Sequence, residues 1–138
     1  MSKYKLVRNK VPELFERHHG YAPVELEDDL KDMHINKLHF ARTKLQEEVK
    51  EFLDETSGHR EEYNIEDIYE EAADVIAALE AIIYTLAPNS KVKPTLQKAV
   101  VDKEARYGCL LGNRIISISE EEKQHYYKEI KGKVENEF

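Results

Sequence analysis

The sequence predicts an all-α fold, an antiparallel helical bundle. Three observations carry that prediction: two long stretches of helical period, cap and breaker residues at their ends, and little strand-like alternation. The first stretch holds Leu38, Ala41, Leu45, Val49 and Phe52, spaced three and four residues apart on one helix face. The second holds Ile68, Ala72, Val75, Leu79, Ile82 and Leu86 in the same rhythm. Four prolines and five glycines in 138 residues suit long helices with few sharp turns.

The elements follow in order. Pro12 suits the first turn of a short helix, Pro12–His19, which Gly20 ends. Residues 21–27 contain Pro23 and read as a loop. A long helix is predicted from about Asp28 to Thr56, stopped by Ser57-Gly58. Asn64 and Asp67 resemble a capping box that opens a helix to about Leu86, before Ala87-Pro88. A further helix is predicted from about Pro94 to Tyr107-Gly108. Residues 109–118, with Gly112-Asn113, fit a short hairpin or an extended loop. Ser119 with Glu122 caps a last, polar helix to about Lys131.

The length suits one domain, residues 1–138, with a core over about 4–116 and an extra C-terminal helix. No apolar run approaches the ~20 residues that span a bilayer. The start, Met-Ser-Lys-Tyr-Lys-Leu, lacks the pattern of a secretory signal. The single cysteine, Cys109, excludes an internal disulfide and a cysteine zinc site. These features predict a cytoplasmic protein.

Net charge is −7, which argues against nucleic acid as a partner. The charge is unevenly placed. Residues 47–80 carry 13 acids against only Lys50 and Arg60. The remaining 15 acids face 19 bases. An acidic middle between basic flanks suits a divalent cation, with a phosphorylated ligand bridging middle and flanks. Solvated helix surfaces account for such a composition equally well.

Helical geometry narrows that choice. At about 100° per residue, Glu48 and Glu51 share one edge of the first apolar stripe, and Glu71 and Asp74 share an edge of the second. Acids three residues apart on a helix repel, and four at a helix–helix seam repel further while losing solvation. Carboxylate oxygens are the donors that Mg²⁺ or Mn²⁺ requires, and helical bundles build such sites from inward-facing acids. The two acid pairs therefore point to a metal site, with two amphipathic helices that happen to be acid-rich as the alternative.

The segments Lys44-Leu-Gln-Glu-Glu-Val-Lys-Glu51 and Glu70-Glu-Ala-Ala-Asp-Val75 resemble the ExxE…ExxD signature of the all-α NTP pyrophosphohydrolases, the MazG-like superfamily. The opening Tyr4-Lys-Leu-Val-Arg-Asn-Lys-Val-Pro-Glu13 is similar to the "KLVRDKIPE" start of its phosphoribosyl-ATP pyrophosphohydrolase-like, predicted house-cleaning branch. Lys103-Glu-Ala-Arg-Tyr-Gly108 resembles that branch's "K…RG(G)F" segment. The resemblance spans about residues 4–116. Asn9 stands where the branch usually has Asp, and Cys109 and Leu110 stand where a second Gly and a Phe are common.

The resemblance implies Mg²⁺-dependent cleavage of a nucleoside triphosphate between its α and β phosphates, releasing the monophosphate and pyrophosphate. Glu48, Glu51, Glu71 and Asp74 would hold the metal, and Glu48 or Glu51 would orient the attacking water. Because acids alone repel a triphosphate, cations must converge as well. Arg8 and Lys10 lead, with Lys5, Lys103 and Arg106 behind them. In that reading Arg8 acts on the phosphates and not on the metal.

Family members usually pair, so a homo-oligomer, a dimer or tetramer, is implied. Phosphoribosyl-ATP hydrolysis in histidine synthesis and a non-enzymatic helical interaction module are the alternatives. The six histidines read as surface or loop residues, Cys109 as a buried thiol, and Tyr84 as core more readily than as a base-stacking ring.

Overall fold

A computed structural model of the chain describes residues 4–59, 61–130 and 132–133. Among these residues the chain is helical and has no strand. Six α-helices are present: α1 Val11–His19, α2 Asp28–Lys31, α3 His34–Glu55, α4 Ile65–Leu86, α5 Val92–Tyr107 and α6 Glu120–His125. Within what the sequence reads as one domain, the chain divides into two compact units, Met1–Val92 and Lys93–Phe138.

The first unit is organised by α3 and α4, which make its most extensive helix–helix contact. Each has 22 residues. At ~1.5 Å per residue that is roughly 33 Å of helix. A short loop joins them, and Glu51 lies near Glu71 while Glu48 lies near both Glu71 and Asp74. Going forward on one helix goes backward on the other, so the pair is antiparallel. Small residues are the most deeply buried on these two helices: Ala41 is 1% exposed and Ala78 3%. The stripes read from the sequence meet here only in part. Leu38, Leu45, Phe52, Ile68, Val75 and Ile82 are half-buried. Val49 and Leu79 are each 36% exposed, and Leu86 is 59% exposed.

Local signals place the helix ends. Asn64 caps α4 by accepting the Asp67 N–H at 3.1 Å. Gly20 ends α1 in the left-handed region, φ 81°, with its N–H on the Glu16 carbonyl. Val11 opens α1, one residue ahead of the expected Pro12, and the proline lies in the first turn as anticipated.

The predicted continuous helix 28–56 is broken into α2 and α3 at Asp32-Met33. The Asn36 side chain donates to the Leu30 carbonyl at 2.7 Å. An unbroken helix would offer that carbonyl to the His34 N–H, so the side chain competes with the backbone. Met33 is accordingly extended, with ψ 128°.

Helix α5 begins at Val92, the last residue of the first unit, two residues ahead of Pro94, so the proline again occupies a first turn. Of the two alternatives for residues 109–118, the structure takes the loop. A single 3₁₀ turn, Leu110–Gly112, is closed by the Gly112 N–H on the Cys109 carbonyl and ended by Asn113 at φ 52°. Ser119 caps α6 by accepting the Glu122 N–H at 3.1 Å. After His125 the chain widens into a π-helical turn, Tyr126–Ile130. The predicted helix end, Lys131, lies outside the described residues.

The Asn64 cap is a direct test of how α4 starts. Asn64→Ala should cost about 1 kcal/mol of unfolding free energy, and Asn64→Asp should cost much less because a carboxylate also accepts the bond. Urea denaturation at neutral pH measures both.

Candidate metal centre

Three of the four predicted acids converge tightly. One carboxylate oxygen each from Glu48, Glu71 and Asp74 lies within 4.8 Å of the others. Glu48 comes from the middle of α3, and Glu71 and Asp74 from one face of α4. Glu51, one turn beyond Glu48, is close enough to Glu71 for its charge to act on that carboxyl, and it lies at the more exposed edge of the group. Helical periodicity brought all four to the seam. Three form the inner group, and the fourth borders it.

Glu48 is the buried acid of the set, 5% exposed as a residue. Lys44, four residues earlier on α3, donates to its Oε1 at 2.9 Å. Its Oε2 is buried with no hydrogen-bond partner, and so is Oε2 of Glu71. A buried carboxylate oxygen without a donor is costly, because it has lost water and gained nothing. Glu71 shows the strain electrostatically. Desolvation first, then the neighbouring charges of Glu51, Asp74 and Glu48, push its carboxyl above the ordinary carboxylate range.

Arg8 also reaches this site. Its Nη2 donates to Asp74 Oδ1 at 2.6 Å. The basic opening segment thus touches an acid of the cluster itself, where the resemblance placed Arg8 on phosphates alone. The four carboxylates outnumber the two cations, Lys44 and Arg8, that are seen to pair with them among the described residues. All inner donors are carboxylate oxygens, with no histidine or sulfur in the group. That donor chemistry, together with the two orphaned oxygens, fits Mg²⁺ or Mn²⁺ better than zinc or copper.

The other predicted contacts lie elsewhere or are less engaged. Lys5 and Lys10 flank Arg8 on the same segment and are exposed. Lys103 and Arg106 belong to α5 in the second unit, where Lys103 Nζ lies 6.0 Å from the centroid of the Tyr107 ring. All six histidines are exposed, as expected. Tyr84 is 58% exposed and not core. Cys109 is exposed rather than buried, and its thiol donates to Glu104 at 3.0 Å. That acid pushes the thiol above its usual range, which disfavours the nucleophilic thiolate.

A hollow of about 720 Å³ in the second unit is lined by Val100, Tyr107, Leu111 and Tyr126, among others. The acids at the seam carry more chemistry than this open, largely apolar hollow. Sequence reasoning missed Lys44, although its i,i+4 spacing to Glu48 was a readable signal.

No protein-family model matches this chain, and no curated protein and no solved structure matches it. No helix among the described residues is long and apolar enough to cross a membrane.

The raised Glu71 carboxyl fixes the sign of a pH effect. A carboxyl with a higher pKa folded than unfolded destabilises the fold once ionised. The penalty is complete above the raised value and disappears below the ordinary one. In chelator-treated protein, Glu71→Gln should therefore be more stable than wild type at pH 7. The difference should close as pH falls through the carboxylate range. Denaturant midpoints measured from pH 7 to pH 4 provide the check, and a mutant less stable at pH 7 contradicts this account of Glu71.

Proposed function

We propose that the chain is a Mg²⁺-dependent nucleoside triphosphate pyrophosphohydrolase, cleaving between the α and β phosphates, with clearance of unwanted nucleotides as its role. The observation that carries this reading is the inner acid group, with buried and unpartnered oxygens on Glu48 and Glu71. The resemblance of the two acid motifs and the basic opening segment supplies the reaction class.

Glu48, Glu71 and Asp74 would hold Mg²⁺, with Glu51 at the border of the group. Bound there, the metal would neutralise phosphate oxygens and make a bound water more acidic. Lys44 orients Glu48, so that one oxygen is committed and the other stays available. Glu51 is the better candidate for orienting the water, because it is exposed and Glu48 is sequestered. Arg8, Lys5 and Lys10 bring positive charge on one segment to a triphosphate that the acids alone would repel.

A homo-oligomer belongs to the same proposal. Along α3 and α4, Leu53 is 59% exposed, Tyr69 74% and Ile76 51%. Apolar surface of that kind on the helices that build the site favours association with a second copy. Cytoplasmic location is likewise proposed, from the single cysteine.

Two measurements test the function together. Millimolar Mg²⁺ should raise the melting temperature of chelator-stripped protein, by about 2.7 kcal/mol of stability at one hundred times the dissociation constant. Pyrophosphate should be released from some member of a nucleotide panel that includes phosphoribosyl-ATP, only with metal. Glu51→Gln should lower that rate by roughly 10²-fold or more without lowering metal-free stability. Absence of turnover on the whole panel, despite a metal-induced shift, would favour the interaction module.

A further inference from the structure

We propose that the Arg8–Asp74 ion pair is a displaceable plug, whose release couples cation binding at the seam to anion binding by the N-terminal segment. The proposal rests on reading the acid group as a cation site and goes beyond it, because it assigns one arginine to two successive partners.

The two cations at the site are held very differently. Lys44 and Glu48 share helix α3, and their side chains are 23% and 7% exposed. That pair is fixed by the helix backbone and shielded from water. Arg8 and Asp74 are separated by 66 residues, and their side chains are 60% and 38% exposed. Solvent screens such a pair, so it is weak despite its short distance. Arg8 also precedes α1 on non-helical backbone, next to a turn closed by the Val11 N–H on the Arg8 carbonyl. Its guanidinium can move without unwinding a helix.

Asp74 has one charge to share. In the metal-free chain it is shared with Arg8. Once Asp74 commits to a cation held with Glu48 and Glu71, its attraction for Arg8 falls. The orphaned, buried Oε2 of Glu48 is the independent sign that the group is arranged for a cation and not for Arg8 alone. The released guanidinium then presents a planar, always charged fork, suited to phosphate oxygens. Lys5 and Lys10 add charge on the same segment. Cation and anion thus favour each other's binding by equal factors, as linkage requires. The anion class is a phosphate ester or pyrophosphate, the chemistry that a bidentate arginine recognises.

The test uses inorganic pyrophosphate and Mg²⁺ as separate probes, by calorimetry on the full chain. Without metal, in chelator, Asp74→Asn should bind pyrophosphate more tightly than wild type, because Arg8 is free. That gain should vanish in the Arg8→Ala/Asp74→Asn double variant. Glu70→Gln removes the same charge from α4 without touching the Arg8 partner, and any gain it gives should survive Arg8→Ala. Without anion, Arg8→Ala should bind Mg²⁺ about two- to fivefold more tightly, because no exposed ion pair has to be broken first.

A pyrophosphate gain that persists in the double variant is a plain charge effect and overturns the plug. So does Mg²⁺ affinity that is unchanged or weaker in Arg8→Ala. If no variant and no wild-type sample binds Mg²⁺, the cation site itself fails and the plug with it. Normal Mg²⁺ binding with no effect of Arg8 overturns the plug and leaves the site standing.

Discussion

The seam between α3 and α4 buries two alanines and a glutamate, and everything proposed for this chain depends on that glutamate. Ala41 and Ala78 allow the helices to approach closely. Glu48, 5% exposed, puts a carboxylate into the same seam. Burying a charge costs several kcal/mol unless it is paired. Lys44 compensates one oxygen and leaves the other without a donor. Glu71 and Asp74 then face it from α4, and Glu51 adds a fourth charge at the edge. A seam built only for stability would hold leucines at these positions. This one accumulates repulsion that a divalent cation relieves.

The same constraint explains the division of labour among the basic residues. Lys44 is part of the helix that carries its partner, so it balances Glu48 permanently. Arg8 arrives from outside the helical pair and engages the outermost inner acid, Asp74. Of the two ion pairs seen at the acid group, the Arg8 contact is the more exposed and the more easily broken. The proposed cation and anion would meet at this place, since the basic opening segment brings charge of the right sign for the anion. The exposed apolar residues of α3 and α4 point the same way. Leu53, Tyr69 and Ile76 remain exposed on these helices, and the proposed association with a second copy would cover such surface.

Much of this was legible in the sequence where the signal is local. Gly20, Asn64 and Ser119 cap or end helices through contacts with residues three or four positions away, so spacing alone reveals them. The two acid pairs were legible because a helix advances by a fixed angle per residue, which places Glu48, Glu51, Glu71 and Asp74 on stripe edges without any tertiary knowledge. The break at Asp32-Met33 was not legible. It depends on whether the Asn36 side chain takes the Leu30 carbonyl, a competition that propensity does not decide. The Arg8–Asp74 contact was hidden by its 66-residue separation. Periodicity also overstated burial at Val49, Leu79 and Leu86, because it identifies an apolar face and not what packs against it.

The central claim is that the acids at the seam bind a divalent cation. Mn²⁺ titration followed by electron paramagnetic resonance tests it most directly, since bound Mn²⁺ loses the sharp signal of the free ion. Wild-type protein should take up Mn²⁺ saturably, and Glu71→Gln should bind it at least about tenfold more weakly while keeping its helical circular dichroism, a loss of ~1.4 kcal/mol. Equal Mn²⁺ affinity in the two proteins would show that the seam does not hold the metal and would contradict the account.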